Sequence, residues 1–250
     1  MIERSVTDGI LTLQMAHGKA SALDLELCQR LQHEFEFAAE AHDIAAVVLT
    51  GSGSIFSAGV DLPRLVNAGG TYVQDFVEAL EAMLRAMFLF PKPAVAAVNG
   101  HAIAGGAIMA FACDYRIMSA GRIGVPEALV GVPFPPLALE LVRFAVPKQH
   151  LHSLLYLART VESDEAKSMG IIDEVVNHEM LLTRANAIAR QIAAITPEAF
   201  RLTKRQLREP YLRDAAQIAV SSADDIDALW AAPATHEHIK AYLARTIGKK

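Results

Sequence analysis

The sequence has almost no cysteine, no cluster of positive charge and no hydrophobic run long enough to cross a membrane. Each absence removes a class of protein. Only Cys28 and Cys113 occur, both inside apolar helical patterns, which excludes a disulfide framework and points to a reducing compartment. The net charge is −5 and the basic residues are dispersed, unlike the footprint of a nucleic-acid binder. The longest apolar run, around Ala102–Cys113, is too short for a transmembrane span. The N-terminal MIERSVTDG carries early acidic residues and no apolar core, so it does not read as a secretory signal. There are no internal repeats, no low-complexity segments, and no Gly-x-Ser-x-Gly or P-loop pattern. The expectation is a soluble protein of the cytoplasm or mitochondrial matrix, with neither nucleic acid nor membrane as partner.

What is present describes a well-buried globular chain: 250 residues, 52% hydrophobic and 20% charged. Ile2–Thr7 and Ile10–Met15 alternate around Asp8-Gly9, a hairpin signal. Asp24 can cap a helix with Leu27, Leu31, Phe35 and Ala38 on one stripe. Ala45–Thr50 reads as a buried strand. Thr71–Leu89 reads as a helix, with Tyr72, Phe76, Leu80, Leu84 and Met87 on one side; Pro91-Lys92-Pro93 stops it. Strands at Ala94–Val98 and Asp114–Ser119 follow. Strands alternating with long helices predict a mostly parallel sheet or spiral of crossover units. Beyond the Pro/Gly-punctuated run Ile123–Leu139, helices dominate. Pro147–Ala158 is one, Ser163 caps another, and Ile171–Val176 adds a short strand. Thr196 followed by Pro197 marks a helix start, and only helices are expected from there to Lys250. A boundary near Ala193 divides residues 1–193 from a helical region, 194–250.

The chain pivots on Ala94–Met118. Gly105-Gly106 open an uncharged segment, Ala107–Cys113, and a helix apolar on every side belongs in the interior. Two readings fit the glycines. They allow close helix–strand packing, or they bare the first N–H groups of a helix to an anion or a polarised carbonyl oxygen. Glu127 also has two readings. It is the only ionisable residue between Ile123 and Leu139, so apolar surroundings would raise its pKa and make it a proton carrier. Equally, Pro126-Glu127 suits the first turn of a helix. Ile55–Leu62 reads as a small-residue loop whose N–H groups can face a ligand. Thr50–Ser54 (TGSGS) lacks the third glycine, the following helix and the acidic partner of a dinucleotide site, and reads as a surface turn. His150-x-His152 and His236-x-His238 have no Cys or carboxylate cluster near them, so no metal site is expected.

The order of Phe56–Leu62 (FSAGVDL), Ala96–Gly106 (AAVNGHAIAGG), Cys113–Ile117 (CDYRI), Gly124–Glu127 (GVPE) and Glu165–Val176 resembles the crotonase, or enoyl-CoA hydratase/isomerase, superfamily. The resemblance implies an α/β fold, a ββα spiral core with a helical C-terminal region, assembled as a homotrimer or hexamer through residues 194–250. It implies acyl-CoA thioester substrates, with coenzyme A present as part of the substrate and no separate cofactor. By the same resemblance, the N–H groups of Ala58 and Gly105 form an oxyanion hole for the thioester carbonyl. Ser57, Ala58, Gly59, Val60 and Asp61 wrap the CoA moiety, and Glu127 is a catalytic glutamate. Lys204 and Arg205 are basic residues that could reach CoA phosphates across a subunit interface. The second glutamate of the hydratases falls at Ile108, and the third acid of the dienoyl-CoA isomerases at Pro135. One carboxylate facing one hole looks like the delta-3,delta-2-enoyl-CoA isomerases, as do Gly131–Pro135 and Leu202-Thr203-Lys204. Hydration, another thioester reaction such as decarboxylation or hydrolysis, and a catalytically idle CoA-binding member are the alternatives.

Overall fold

The computed structural model describes residues 1–68 and 70–246. Strands β1 (Ile2–Thr7) and β2 (Ile10–Met15) pair antiparallel with Thr7 opposite Ile10. Asp8 and Gly9 both have positive φ, 52° and 75°, the backbone a two-residue turn needs to match strand twist. Asp24 precedes α1 (Leu25–Glu40), and its Oδ1 accepts the Leu27 N–H at 2.9 Å. Next come β3 (Ala46–Thr50), β4 (Ile55–Ser57), α2 (Leu62–Ala68), α3 (Gly70–Phe88), β5 (Ala94–Val98), β6 (His101–Ile103) and α4 (Gly105–Ala112). After β7 (Tyr115–Met118) and β8 (Arg122–Gly124) lie α5 (Glu127–Val130), α6 (Pro136–Ala145) and α7 (Lys148–Tyr156). The chain continues through β9 (Thr160–Glu162), α8 (Ser163–Ser168) and β10 (Glu174–Val175) to α9 (Leu181–Ala193), α10 (Pro197–Ala231) and α11 (Pro233–Thr246).

The strands form two sheets, ordered β1-β2-β3-β5-β7-β10 and β4-β6-β8-β9. From β2 to β10 the large sheet is parallel. Each of β3, β5 and β7 is followed at once by a strand of the small sheet and then by helix, so the chain winds as a ββα spiral. Both faces of the large sheet are covered. Val47, Leu49, Ala96 and Val98 point into the main core, while Ala46, Val48, Val95 and Ala97 meet Ala185 and Ile188 of α9. This period-2 division explains why β3 and β5 read as unbroken apolar runs. Helix α4 lies at the centre, all eight residues buried.

Some expectations needed correction. The loop expected at Ile55–Leu62 begins as β4, and a further short strand, β6, leads into α4. Ser163 does not cap α8; Glu162 holds that position, without a side-chain bond. The strand expected at Ile171–Val176 is only Glu174–Val175. Thr50–Ser54 is a turn exposed at Gly53 and Ser54, as expected, and it is anchored from beneath. Asn99 gathers it, accepting the Gly51 N–H at 2.9 Å and donating to the Gly53 carbonyl at 3.0 Å, and a Cβ on Gly51 would sit 2.4 Å from the Ile55 oxygen. Cys28 and Cys113 are free buried thiols, and burial pushes Cys113 up to about 12. Among the described residues no helix is long and apolar enough to cross a membrane.

Helix α10 packs against α6 and α3 and is tied to the core by buried charges. Lys204 and Arg208 each donate to Asp114 at 2.7 Å, and Asp114 also accepts the Ala94 N–H at 2.8 Å. Burial holds the Lys204 ammonium down at about 8, and its Nζ is committed inward. Lys204 is therefore not a free cation for a phosphate; Arg205 is exposed.

Candidate active site

The site grows from the start of α4. Ala104 has φ 53° and ψ −126°, a strained backbone for a residue with a side chain, costing about 1–3 kcal/mol. It is held there from both sides. Its N–H donates to Gly124 of β8 at 2.8 Å, and its carbonyl accepts the Ile108 N–H at 3.1 Å. The turn swings the chain from β6 into α4 and leaves the Gly105 N–H without an acceptor among the described residues. The two glycines turn out to divide the two readings. A Cβ on Gly106 would lie 2.4 Å from the Ser57 backbone oxygen, so Gly106 serves close packing. A Cβ on Gly105 would meet only the far end of the Leu23 side chain, at 2.7 Å. Gly105 lines a cleft.

The loop beside it corrects the assignment carried by the resemblance. The Ala58 N–H is spent on the Ala20 carbonyl at 3.0 Å, and the Gly59 N–H on the Ser57 hydroxyl at 3.2 Å. Neither is free to receive a substrate oxygen. Among the described residues the Val60 N–H has no acceptor, and Val60 lines the cleft. Gly59, at φ +79°, presses against α4: a Cβ there would sit 2.7 Å from the Ile103 oxygen and 3.1 Å from the Gly105 nitrogen. That contact brings Val60 beside Gly105. Ser57 is fully buried and donates to the Ser21 carbonyl at 2.7 Å, so it is also removed from the list of groups able to wrap a ligand. Asp61 caps α2, its Oδ1 accepting the Arg64 N–H at 3.0 Å. Ser57, Gly59 and Asp61 thus shape the loop, while Ala58 and Val60 face the cleft.

Glu127 comes from another element, the single-turn helix α5, which Gly131 closes at φ 78°. The residue is 8% exposed, and its Oε2 has no hydrogen-bond partner among the described residues. Burial pushes the carboxyl up to about 8, opposed only by its own backbone N–H. It does begin a helix, but one turn has little dipole, and desolvation decides the outcome. Ile108, one helical turn after Gly105, lines the same cleft.

The cleft holds about 720 Å³ of free space including its open mouth. Leu80, Leu84, Val130, Phe134 and Pro135 make its walls apolar. Among the described residues no lysine, arginine or histidine lines it; Glu127 and Tyr242 are its titratable groups. Trp230 of α10 and Tyr242 of α11 close part of it, and sequence reasoning missed both. Tyr242 is the one Phe, Trp or Tyr of α11 and Trp230 one of three in α10, and neither pattern reveals which element the ring will meet. The paired histidines serve structure: His236 bonds the Trp230 carbonyl at 3.0 Å and His238 the Leu129 carbonyl at 3.1 Å, while His152 stacks on Tyr156. No group of metal-binding side chains occurs among the described residues. Two unspent N–H groups in one cleft with a carboxyl that burial pushes up to about 8 can stabilise a negative oxygen and move a proton.

A ββα spiral with such a cleft defines an enzyme of the crotonase fold. The chain belongs to the enoyl-CoA hydratase/isomerase family, whose model matches residues 5–246. It is 38% identical over 168 residues to a putative enoyl-CoA hydratase of Thermus thermophilus, a match covering 66% of each chain, so about a third of each lies outside it. It is 26% identical over 213 residues to the mitochondrial enoyl-CoA delta isomerase 1 of Rattus norvegicus, covering 84% of this chain and 74% of that one. In fold it matches the human mitochondrial delta3-delta2-enoyl-CoA isomerase with TM-score 0.93 at 23% identity, over 100% of this chain and 99% of the other.

Proposed function

We propose that this protein shifts the double bond of a 3-enoyl-CoA to give the 2-enoyl-CoA, with Glu127 carrying the proton. The observation that carries the reading is a cleft with one carboxylate among its described lining residues, Glu127, and the apolar Ile108 in the same lining. Ionised Glu127 removes a proton from C2 of the thioester. The negative charge spreads over the dienolate and settles on the thioester oxygen, against the N–H groups of Val60 and Gly105. One such donor is worth ~3 kcal/mol of barrier. The protonated Glu127 then returns the proton at C4, so a single group serves as base and acid. Hydration asks for more: water must be held and deprotonated while C2 gains a proton. Ile108 offers that water nothing.

Coenzyme A enters as part of the substrate, and the residues supply the chemistry without a further cofactor. Residues 194–250 are read as the assembly region of a trimer or hexamer, supported by exposed Leu202, Leu207 and Val220 on α10. A light-scattering mass of one chain would refute that reading. Hydration is the second reading, favoured by the name of the Thermus thermophilus relative. The test of the assignment to Glu127 is Glu127→Gln with a 3-enoyl-CoA: turnover should vanish while acyl-CoA binding stays near that of the unmutated protein. Retention of more than about a tenth of the rate would show that another group moves the proton.

A further inference from the structure

Six buried side-chain polar atoms lack a hydrogen-bond partner among the described residues: two on Glu34 and one each on Arg116, Glu127, Glu140 and Trp230. Four of these belong to ion-paired groups. Glu34 is paired with Arg4 and Arg30, Arg116 with Asp173, and Glu140 with Arg143. The two left are Glu127 Oε2 and Trp230 Nε1, and both residues line the same cleft. Buried indole N–H groups ordinarily find an acceptor, and an orphan costs about as much as a lost hydrogen bond. Trp230 is 3% exposed. Its position is held by α11, where His236 bonds its carbonyl at 3.0 Å.

We infer that Trp230 is a specificity residue, and that the natural acyl group carries a neutral oxygen beyond C4 that accepts the Trp230 N–H. The acceptor is neutral because no cation among the described residues lines the cleft, so a carboxylate tail would enter it uncompensated. An ether, hydroxyl or keto oxygen meets the requirement; an unbroken hydrocarbon tail leaves the donor unmet. The inference rests on the acyl-thioester reading of the cleft but not on the reaction performed there. Trp230 also borders a neighbouring recess with Gln74, Glu78 and Asp227, none of which accepts its N–H.

The test measures binding, so that it survives a failure of the isomerase assignment. Saturated acyl-CoAs are titrated calorimetrically against the full chain. Each is compared with isosteres in which one tail CH2 beyond C4 is replaced by an ether oxygen. One oxygen position should bind more tightly than the all-carbon chain, and Trp230→Phe should erase that preference, by about tenfold. Binding of the all-carbon chain should weaken less in the variant than binding of the oxygen isostere. Three results would overturn the inference: no oxygen position preferred by the unmutated protein, which needs no variant to establish; a preference that survives Trp230→Phe, as expected if the recess supplies solvent to the N–H; or equal weakening of both ligands, which would make Trp230 a packing residue only. Should no acyl-CoA bind at all, the thioester reading and this inference fall together. Binding with the predicted preference but no double-bond shift would sink the isomerase assignment alone.

Discussion

Replacing Glu127 by glutamine should stabilise the protein at high pH while destroying its chemistry. Burial lifts the carboxyl from the usual 4.5 to about 8, so the folded chain keeps a proton that the unfolded chain has already released. Between those values the folded state binds more protons, and stability falls as pH rises. The contribution is fully present below about 4.5 and lost by about 8; the whole gap corresponds to ~5 kcal/mol. Glutamine cannot ionise, so it escapes this loss. Its amide is buried where Oε2 already lacks a partner, which returns about 1–3 kcal/mol. The variant should therefore be more stable than the unmutated protein by ~2–4 kcal/mol near pH 9, and no more stable near pH 5. Urea unfolding at both pH values, with unchanged m-values, gives the comparison directly. Parallel stability curves for the two proteins would refute the claim that Glu127 is buried as a poised acid.

Two further outcomes follow from the same geometry. Ile108→Glu should raise hydration of a 2-enoyl-CoA about tenfold or more, at a cost of ~1–3 kcal/mol in stability, because it supplies the missing second acid in an apolar wall; unchanged hydration in a folded variant would deny Ile108 its role. Because the base must be ionised, kcat/KM for a 3-enoyl-CoA should climb with pH and level off above about 8; an inflection near the usual carboxylate value would contradict the burial of Glu127.

Local signals carried a good part of this fold. The Asp8-Gly9 hairpin, the Asp24 cap, the β5 strand and the all-apolar α4 were legible because each depends on neighbours in sequence. The second sheet was not, since β4, β6 and β8 are three-residue strands, too short to show alternation. The Ile55–Leu62 stretch shows a sharper limit. Whether Ala58 or Val60 keeps a free N–H depends on the Ala20 carbonyl, which approaches from a distant stretch of chain. The motif marks the loop; tertiary hydrogen bonding selects the donor. Glu127 was visible as an isolated acid, but its choice between helix dipole and desolvation required the packing around it. Trp230 and Tyr242 reach the cleft from the C-terminal helices, through contacts that no local pattern encodes.

The most direct test of the central claim is the ratio of two activities in the unmutated protein: kcat/KM for shifting the double bond of a 3-enoyl-CoA, over kcat/KM for hydrating the matching 2-enoyl-CoA. A cleft lined by Glu127 as its one carboxylate and by Ile108 predicts a ratio far above one. Hydration equal to or faster than isomerisation would contradict it.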